Sequence, residues 1–229
     1  MPKPKKQIKE VMTLEKDGFM IFKKVFSVKR VSALIAEYKS TSFPRRKNSM
    51  EIMEKTKQYE LSFRGSDIVR LAKGKYDFDL SYGGELHTYP RLTNSPQIKK
   101  MIRERLGKGY VVQIGALHSE PKTGYGDWHR DVYKLFSEEI DLKLPPYYYT
   151  LIIPLRDVSK VSGSTELIPR SHCLPLKNVS KQKSFSSTLE IGDALLMNGQ
   201  IVHRSGKNST EEPRVVLYVV FKKKWYNDY

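Results

Sequence analysis

The 229-residue sequence predicts an α+β protein whose core is a β-sandwich or jelly roll, with helices packed against one sheet. Two observations lead to this prediction. Before Gly107, apolar residues recur at roughly helical spacing, and the clearest example is a face made by Val31, Leu34, Ile35 and Tyr38. After Gly107, the apolar residues form short β-branched or aromatic runs that are separated by turn residues. Helices followed by regularly spaced strands are typical of one domain with a β core and helices on one side.

The N-terminal part of the chain is predicted to be mainly helical. Residues 1–9 form a basic tail that we expect to be flexible, and residues 10–229 form a single domain. Helical spacing continues to about residue 106, interrupted by a short strand at residues 19–22.

The middle and C-terminal parts differ in character. Residues 41–60 are predicted to form a loop or lid with a helical segment, and residues 73–96 to run irregularly over the surface. We expect much of the substrate pocket between residues 41 and 96. The jelly-roll core is predicted over residues 107–224. Its strands are expected at residues 110–117, 147–153, 164–168, 194–197 and 214–221.

The composition excludes several classes of protein. No run of 18 apolar residues occurs, so no transmembrane helix is expected. The single cysteine, Cys173, excludes an internal disulfide and a cysteine-rich zinc site. The first residues, Met1 to Lys9, are basic and are not followed by an apolar segment, which argues against a secretory signal. We therefore expect a monomeric, intracellular and cytoplasmic protein.

The net charge of +16 favours anionic partners, such as nucleic acids, phosphorylated metabolites or CoA esters. The densest basic runs lie at the two ends of the chain, from Lys3 to Lys9 and from Lys222 to Lys224. Elsewhere the basic residues are scattered, as on an ordinary solvated surface. Nucleic-acid binding is therefore possible on charge alone, whereas a small anionic substrate is the simpler expectation.

A histidine-aspartate triplet predicts a metal site. The chain has only five histidines, and two of them begin a His-x-acid triplet: His118 with Glu120, and His129 with Asp131. Residues two apart in a strand project to the same face, so one such pair can bind one ion. A distant third histidine would leave open positions on the metal, as in iron(II) oxygenases.

The surroundings favour the triplet at His129. It follows a loop with two glycines, at residues 124–128, and His203 lies 74 residues later, after the strand expected at 194–197. Arg214 opens the most apolar run of the sequence. A guanidinium that points into a core needs a partner, and a dicarboxylate such as 2-oxoglutarate supplies a bidentate one.

The other histidines have simpler interpretations. His118 and Glu120 precede Pro121 and are expected on a loop rim, which makes them the weaker ligand pair. His172 follows a turn-like stretch and is expected to be a structural hydrogen-bonding residue. His87 lies in the irregular stretch, where an exposed and inert side chain is the simplest expectation.

With these motifs the sequence resembles the phytanoyl-CoA hydroxylase family of iron(II)- and 2-oxoglutarate-dependent oxygenases. The resemblance covers most of the chain. Residues 17–19, Asp-Gly-Phe, are similar to the start of that family, and Trp128-His-Arg-Asp131 is similar to its first metal motif. Residues 163–172 resemble its Pro-Gly-Ser-His segment, and residues 192–214 its C-terminal half. The ordered set is far more specific than any single motif.

The resemblance implies a double-stranded β-helix, which is the cupin-like jelly roll, and assigns roles to five residues. His129, Asp131 and His203 would bind iron(II), Arg214 would pair with the distal carboxylate of 2-oxoglutarate, and Ser205 would hydrogen bond to the same carboxylate. The implied reaction consumes O2, releases succinate and CO2, and hydroxylates a small or lipid-like anionic substrate. Because Asp131 is present, the halogenating relatives, which lack this carboxylate, are disfavoured.

Other functions remain open from the residues alone. The same chemistry could act on a nucleic acid or a protein, with Tyr76, Tyr82 or Tyr89 stacked on a base. A jelly-roll binding module without catalysis is an alternative of another class. Zinc is the alternative metal, because two histidines and one aspartate also suit it.

Overall fold

A computed structural model describes residues 12–57, 60–63, 66–80, 95–179 and 181–226. The strands within these ranges are β1 (Phe19–Phe22), β2 (Glu60–Phe63), β3 (Ser66–Ala72), β4 (Lys75–Asp79), β5 (Tyr110–Ser119), β6 (Tyr148–Pro154), β7 (Thr165–Leu167), β8 (Phe185–Ser187), β9 (Ala194–Asn198), β10 (His203–Ser205) and β11 (Arg214–Lys223). The helices are α1 (Val28–Glu37), α2 (Phe43–Thr56), α3 (Pro96–Leu106), α4 (Glu138–Asp141) and α5 (Leu176–Val179). A π-helical turn, Tyr38–Ser42, joins α1 to α2.

The strands form two antiparallel sheets. The large sheet has the order β1-β9-β6-β11-β5-β4-β3-β2, and the small sheet has the order β10-β7-β8. β11 pairs along its whole length with β5 and along most of its length with β6, so it is an interior strand of the large sheet. Strands from distant parts of the chain alternate within each sheet, which is the connectivity of a jelly roll. The predicted α+β class with a double-stranded β-helix core is confirmed.

Each face of the large sheet packs against a different layer. Because successive side chains of a strand point to opposite faces, β11 places Val216 between the two sheets and Leu217 under the helices. Val31 of α1 and Ile98 of α3 pack into the helix-side core. Apolar residues on both faces explain why β11 reads as a continuous apolar run in the sequence.

The N-terminal helices begin at side-chain caps. The hydroxyl of Ser27 accepts a hydrogen bond from the backbone N–H of Arg30 and starts α1. Ser95 caps α3 in the same way, and Pro96 takes the first helical position, where its missing N–H costs nothing. α3 ends at Gly107, whose φ of 75° lies in the left-handed region.

The expectation of a helical N-terminal part is wrong for residues 60–63, 66–72 and 75–79, which form β2, β3 and β4 and extend the large sheet beyond β5. In β4, Tyr76 and Phe78 are buried on the helix side, and Lys75 and Asp77 face the interior between the sheets. A half-buried strand is predicted from apolar residues on its buried face that alternate with polar residues on its solvent face. In β4 a buried face carries the charged residues, so the sequence did not indicate that this face is inside.

Other expectations for this part have separate outcomes. The helical segment predicted within residues 41–60 is α2. His87, Tyr82, Tyr89 and the basic tail at residues 1–9 lie outside the described residues. In the described part of the chain, no helix is long and apolar enough to cross a membrane.

Candidate metal centre and cosubstrate pocket

The segment that carries His129 lies along the edge of the small sheet. Its backbone exchanges hydrogen bonds with β10: the N–H of His129 donates to the carbonyl of His203 (3.0 Å), and the N–H of His203 donates back (2.9 Å). The N–H of Gly126 donates to the carbonyl of Ser205 (2.9 Å). Alternation along both segments then turns His129 and Asp131 toward the same interior space as His203.

The three predicted ligands converge. The Nε2 atom of His203 is 3.3 Å from Oδ1 of Asp131, and the Nε2 atom of His129 is 3.8 Å from the same oxygen. One ligand atom from each residue lies within 4.8 Å of the other two. Among the described residues, no other trio of histidine, cysteine or acidic side chains is gathered in this way.

Both histidines are oriented to present Nε2 to a metal. The Nδ1 atom of His129 lies 2.9 Å from the carbonyl of Asp127, and that of His203 lies 3.1 Å from the carbonyl of Ile201. A carbonyl only accepts, so each Nδ1–H donates to it, and in a neutral imidazole the Nε2 atom is then the one with a free lone pair. Burial holds the pKa of His203 below its usual value, which also favours the neutral, metal-binding form.

The carboxylate of Asp131 is oriented by a neighbour on the large sheet. The hydroxyl of Thr150, on β6, donates to Oδ2 at 2.5 Å and leaves Oδ1 facing the two histidines. Two neutral imidazoles and one fixed carboxylate are a donor set that suits a first-row divalent ion such as iron(II). The side chains present therefore fit the metal that the sequence resemblance implies.

The triad opens into a cavity of about 320 Å³ between the two sheets, which also contains Ser205 and Arg214. Arg214 is 2% exposed, and one Nη2–H donates to the hydroxyl of Ser119 at 2.8 Å. Its Nε is buried and has no hydrogen-bond partner among the described residues. Burial lowers the pKa of Arg214 to about 10, so the group stays charged at neutral pH. A buried guanidinium with a spare donor fits an anionic ligand such as the distal carboxylate of 2-oxoglutarate.

Lys75 lies beside this cavity, against Ser205, and was missed by the sequence interpretation. Its Nζ donates to the hydroxyl of Ser205 at 2.5 Å and to the carbonyl of Gly206 at 3.4 Å. Lys75 and Arg214 both pair with Ser119, on opposite sides of β5, so the two cations lie on one row of the sheet. Burial, with smaller contributions from the nearby arginines, lowers the pKa of Lys75 to about 8. The sequence interpretation missed Lys75 because it did not predict β4, the strand that carries this residue.

The other His-x-acid triplet, His118 to Glu120, lies away from the triad. His118 is 1% exposed on the helix side of β5, where its Nδ1 is 3.2 Å from the hydroxyl of Tyr38 and its Nε2 is 3.1 Å from Glu120. The structure does not bring this pair to the triad. His172 is a structural residue as predicted, with Nε2 placed 3.3 Å from the carbonyl of Glu15.

Tyr76 is unable to stack on a base. It is 2% exposed, and its hydroxyl donates to Glu54 at 2.7 Å. Tyr76, one of the three tyrosines considered for stacking on a base, is therefore a buried core residue.

The family of the chain follows from its match to a family model. Residues 14–216 match the model described as phytanoyl-CoA dioxygenase (PhyH). The chain belongs to the phytanoyl-CoA dioxygenase family. This match confirms the resemblance that the sequence motifs predicted.

Curated proteins similar to this member of the phytanoyl-CoA dioxygenase family are named dioxygenases. The dioxygenase cdmD of Talaromyces verruculosus is 26% identical over 122 residues, which cover 51% of this chain and 40% of that protein. The dioxygenase FUM3 of Gibberella moniliformis is 26% identical over 117 residues, which cover 50% of this chain and 37% of that protein. The matched region spans less than half the length of either relative.

Solved structures show the same fold. The epimerase SnoN, in complex with Fe3+, alpha ketoglutarate and nogalamycin RO, has a TM-score of 0.64 at 17% identity, over 92% of this chain and 80% of that chain. EvdO2 from Micromonospora carbonacea var. aurantiaca, complexed with 2-oxoglutarate, has a TM-score of 0.60 at 17% identity, over 93% of both chains. At this level of identity the likeness establishes that this family member shares their architecture.

Proposed function

We propose that this protein is an iron(II)- and 2-oxoglutarate-dependent dioxygenase that hydroxylates a small or lipid-like anionic substrate. His129, Asp131 and His203 would bind the metal. The observation that carries the proposal is the convergence of these three side chains with a buried, incompletely bonded Arg214 in one cavity. Bound iron and 2-oxoglutarate would supply the oxidising chemistry, which consumes O2 and releases succinate and CO2.

The pocket residues would hold the cosubstrate by its distal carboxylate. Arg214 offers a planar pair of donors, and Ser205 offers a hydroxyl that Lys75 already orients. The two cations repel each other in a buried site, and an anion placed between them relieves that repulsion. We therefore assign Lys75 to cosubstrate binding together with the two residues that the sequence predicted.

The apolar lining of the cavity would keep water away from the reacting groups. Leu117, Ile152 and Met197 line the same space as the triad, and the large sheet that carries them is apolar on both faces. Exclusion of water strengthens the ionic contacts of Arg214 and protects reactive species from side reactions.

A surface cleft of about 830 Å³ supports the assignment of the substrate class. It shares His129 with the inner cavity, so a molecule in the cleft reaches the edge of the metal site. Seven of its fifteen described lining residues are aromatic or aliphatic: Trp128, Val132, Tyr133, Tyr147, Ile168, Val179 and Val202. Such a surface fits an apolar body.

In this cleft Arg130 would bind a hydrogen-bond acceptor or an anionic group of the substrate. Its Nη2 donates to the carbonyls of Ser171 and Leu174, at 3.1 and 3.2 Å, whereas its buried Nε has no partner in the described part of the chain. Lys134 adds a second cation to the lining. Glu138 and Asp141 also line the cleft, and the Asp141 carboxylate accepts hydrogen bonds from two backbone N–H groups.

The proposal is tested by anaerobic addition of iron(II) and 2-oxoglutarate to the purified protein. We expect a visible charge-transfer band that requires both additions and that His129→Gln abolishes. Tight zinc binding without this band would contradict the proposal in favour of a zinc site, and failure to bind either metal or 2-oxoglutarate would favour a binding module. A succinate-release screen against pooled lipids, CoA esters, small acids, peptides and nucleic acids then identifies the substrate.

A further inference from the structure

Arg204 lies on the face of β10 opposite to the metal site. It stands between His203 and Ser205, which face the cavity, so its side chain points to the outer face of the small sheet. There it meets Glu166, its register partner on β7. The Nη2 and Nε atoms of Arg204 lie 2.8 and 2.9 Å from Oε2 of Glu166, whose side chain is only 9% exposed.

The other side of the same guanidinium contacts the loop that leads to His129. The Cζ atom of Arg204 is 4.1 Å from the ring centre of Tyr125 and 4.3 Å from the ring centre of Trp128. Both distances are those of cation–π contacts. One side chain therefore connects the small sheet to Trp128, the residue immediately before His129.

The loop lies close against β10 beneath these rings. The N–H of Gly126 donates to the carbonyl of Ser205, and a Cβ atom on Gly126 would lie 2.6 Å from the hydroxyl oxygen of Ser205. The contact is edge-to-edge, with few hydrogen bonds. Side-chain contacts across it therefore matter for keeping the loop in register.

The two histidines of the triad differ in how firmly they are packed. The side chain of His203 is 8% exposed, and that of His129 is 53% exposed. Packing therefore fixes His203, whereas the position of His129 depends on the backbone of its loop. A change in the loop would move His129 and Asp131 relative to His203.

We propose that Arg204 is a positioning residue, which clamps the loop of Tyr125 and Trp128 against Glu166 and so sets the place of His129. The role requires a planar cation that can hydrogen bond at its edge and stack on rings by its faces, which lysine does not provide. The part of the proposal that concerns metal affinity rests on the metal role proposed for His129. The part that concerns loop order does not.

The first test measures loop order in the metal-free protein. Hydrogen exchange of a peptide that covers residues 124–131 is compared between the wild type, Arg204→Lys and Arg204→Met. We expect exchange of this peptide to be roughly 10-fold faster in Arg204→Met and intermediate in Arg204→Lys. Arg70→Met is the matched control, because Arg70 makes a comparable two-atom contact with Glu54, at 3.1 and 3.3 Å, on another strand. The control variant should leave the peptide unchanged.

The second test measures the affinity of the same proteins for Co(II), an air-stable divalent probe, by titration calorimetry. We expect Arg204→Met to bind Co(II) roughly 10-fold to 100-fold more weakly, whereas Arg70→Met loses stability without this change. Where Arg204→Met does not fold, Glu166→Gln and Arg204→Lys replace it, with the same direction expected. Wild-type exchange and wild-type Co(II) affinity in the Arg204 variants would overturn the proposal. A wild-type protein that binds no metal would instead overturn the proposed function, and the exchange result would still decide the loop role.

Discussion

His129 and His203 hydrogen bond to each other through their backbones in both directions, at 3.0 and 2.9 Å. This pairing makes the segment of His129 a short neighbour of β10 and puts the two imidazoles side by side, with ring centres 4.4 Å apart. Two residues that are far apart in the sequence thus share one register position, and Asp131 follows on the same face.

Thr150 is expected to control the affinity for iron. Thr150→Val keeps the shape of the side chain but removes the donor that holds Oδ2 of Asp131 at 2.5 Å. A freely rotating carboxylate should bind the metal roughly 10-fold to 100-fold more weakly, as found for outer partners of metal ligands in general. Anaerobic iron(II) titration measures the effect. Thr165→Val is the control, because Thr165 lines the same cavity, whereas the hydroxyl that bonds to Asp131 is that of Thr150. Equal losses in both variants would contradict the assigned role.

Arg214 is expected to determine the affinity for 2-oxoglutarate and not for the metal. Arg214→Gln removes the buried charge that faces the distal carboxylate, so the KM for 2-oxoglutarate should rise roughly 100-fold, which corresponds to about 2.7 kcal/mol. Iron binding should stay close to the wild type. Arg156→Gln is the control, since Arg156 donates to the backbone carbonyl of Pro213, the residue before Arg214, and does not line the cavity. An unchanged KM in Arg214→Gln would remove Arg214 from the cosubstrate site.

Lys75 predicts a loss of 2-oxoglutarate affinity at alkaline pH. Its pKa is lowered from 10.5 to about 8, so the cation is present below pH 8 and is lost as the pH rises through that value. Arg214 keeps its charge over this range, because its pKa is about 10. The KM for 2-oxoglutarate should rise roughly threefold to tenfold between pH 7 and pH 9, since one of two ionic contacts disappears.

Variants separate this titration from other effects of pH. Lys75→Met should show a high KM for 2-oxoglutarate at pH 7 and little further rise up to pH 9. Lys122→Met is the control, because Lys122 forms an exposed ion pair with Glu211 and should keep the wild-type profile. The wild-type profile in Lys75→Met would assign the pH dependence to another group.

Gly18 is expected to be required for stability. Its φ of +83° is unfavourable for other residues, and a Cβ atom would lie 2.5 Å from Nδ1 of His172. Gly18→Ala should therefore lower the free energy of unfolding by about 1–3 kcal/mol, measured by urea denaturation. Measuring Gly18→Ala in the wild type and in His172→Ala separates the steric clash with His172 from the strain of the backbone. In the His172→Ala background, a loss of about 1 kcal/mol in the free energy of unfolding should remain from the backbone strain. Gly124→Ala should be nearly neutral, because no atom of the described residues, apart from its chain neighbours, lies within 4 Å of its Cβ position.

The two His-x-acid triplets should respond differently to the same substitution. His129→Gln should abolish iron binding with little loss of stability, since that side chain is 53% exposed. His118→Gln should bind iron as the wild type does but unfold at a lower temperature, because it disturbs the contacts with Tyr38 and Glu120. Loss of iron binding in His118→Gln alone would reverse the assignment.

The elements that were predicted correctly are those whose pattern is local. β6, β9 and β11 are apolar on both faces, so their runs are visible without knowledge of their partners. β4 was missed because its inner face carries Lys75 and Asp77, and its strand conformation depends on pairing with β5 across the sheet. Lys75 could not be placed next to Ser205 for the same reason.

The sequence by itself determined the order of the motifs: a His-x-Asp pair, a later histidine and an arginine at the head of an apolar strand follow one another as is typical of one family. Only the tertiary structure decided which of two similar triplets faces His203. Side chains two apart share a face, but packing against other elements decides which face is inside. Pairing with β10 turns Asp131 toward the cavity, whereas His118 is buried on the helix side of β5, against Tyr38. Lys75 and Arg214 lie on either side of Ser119 only because β4, β5 and β11 are neighbours in the sheet.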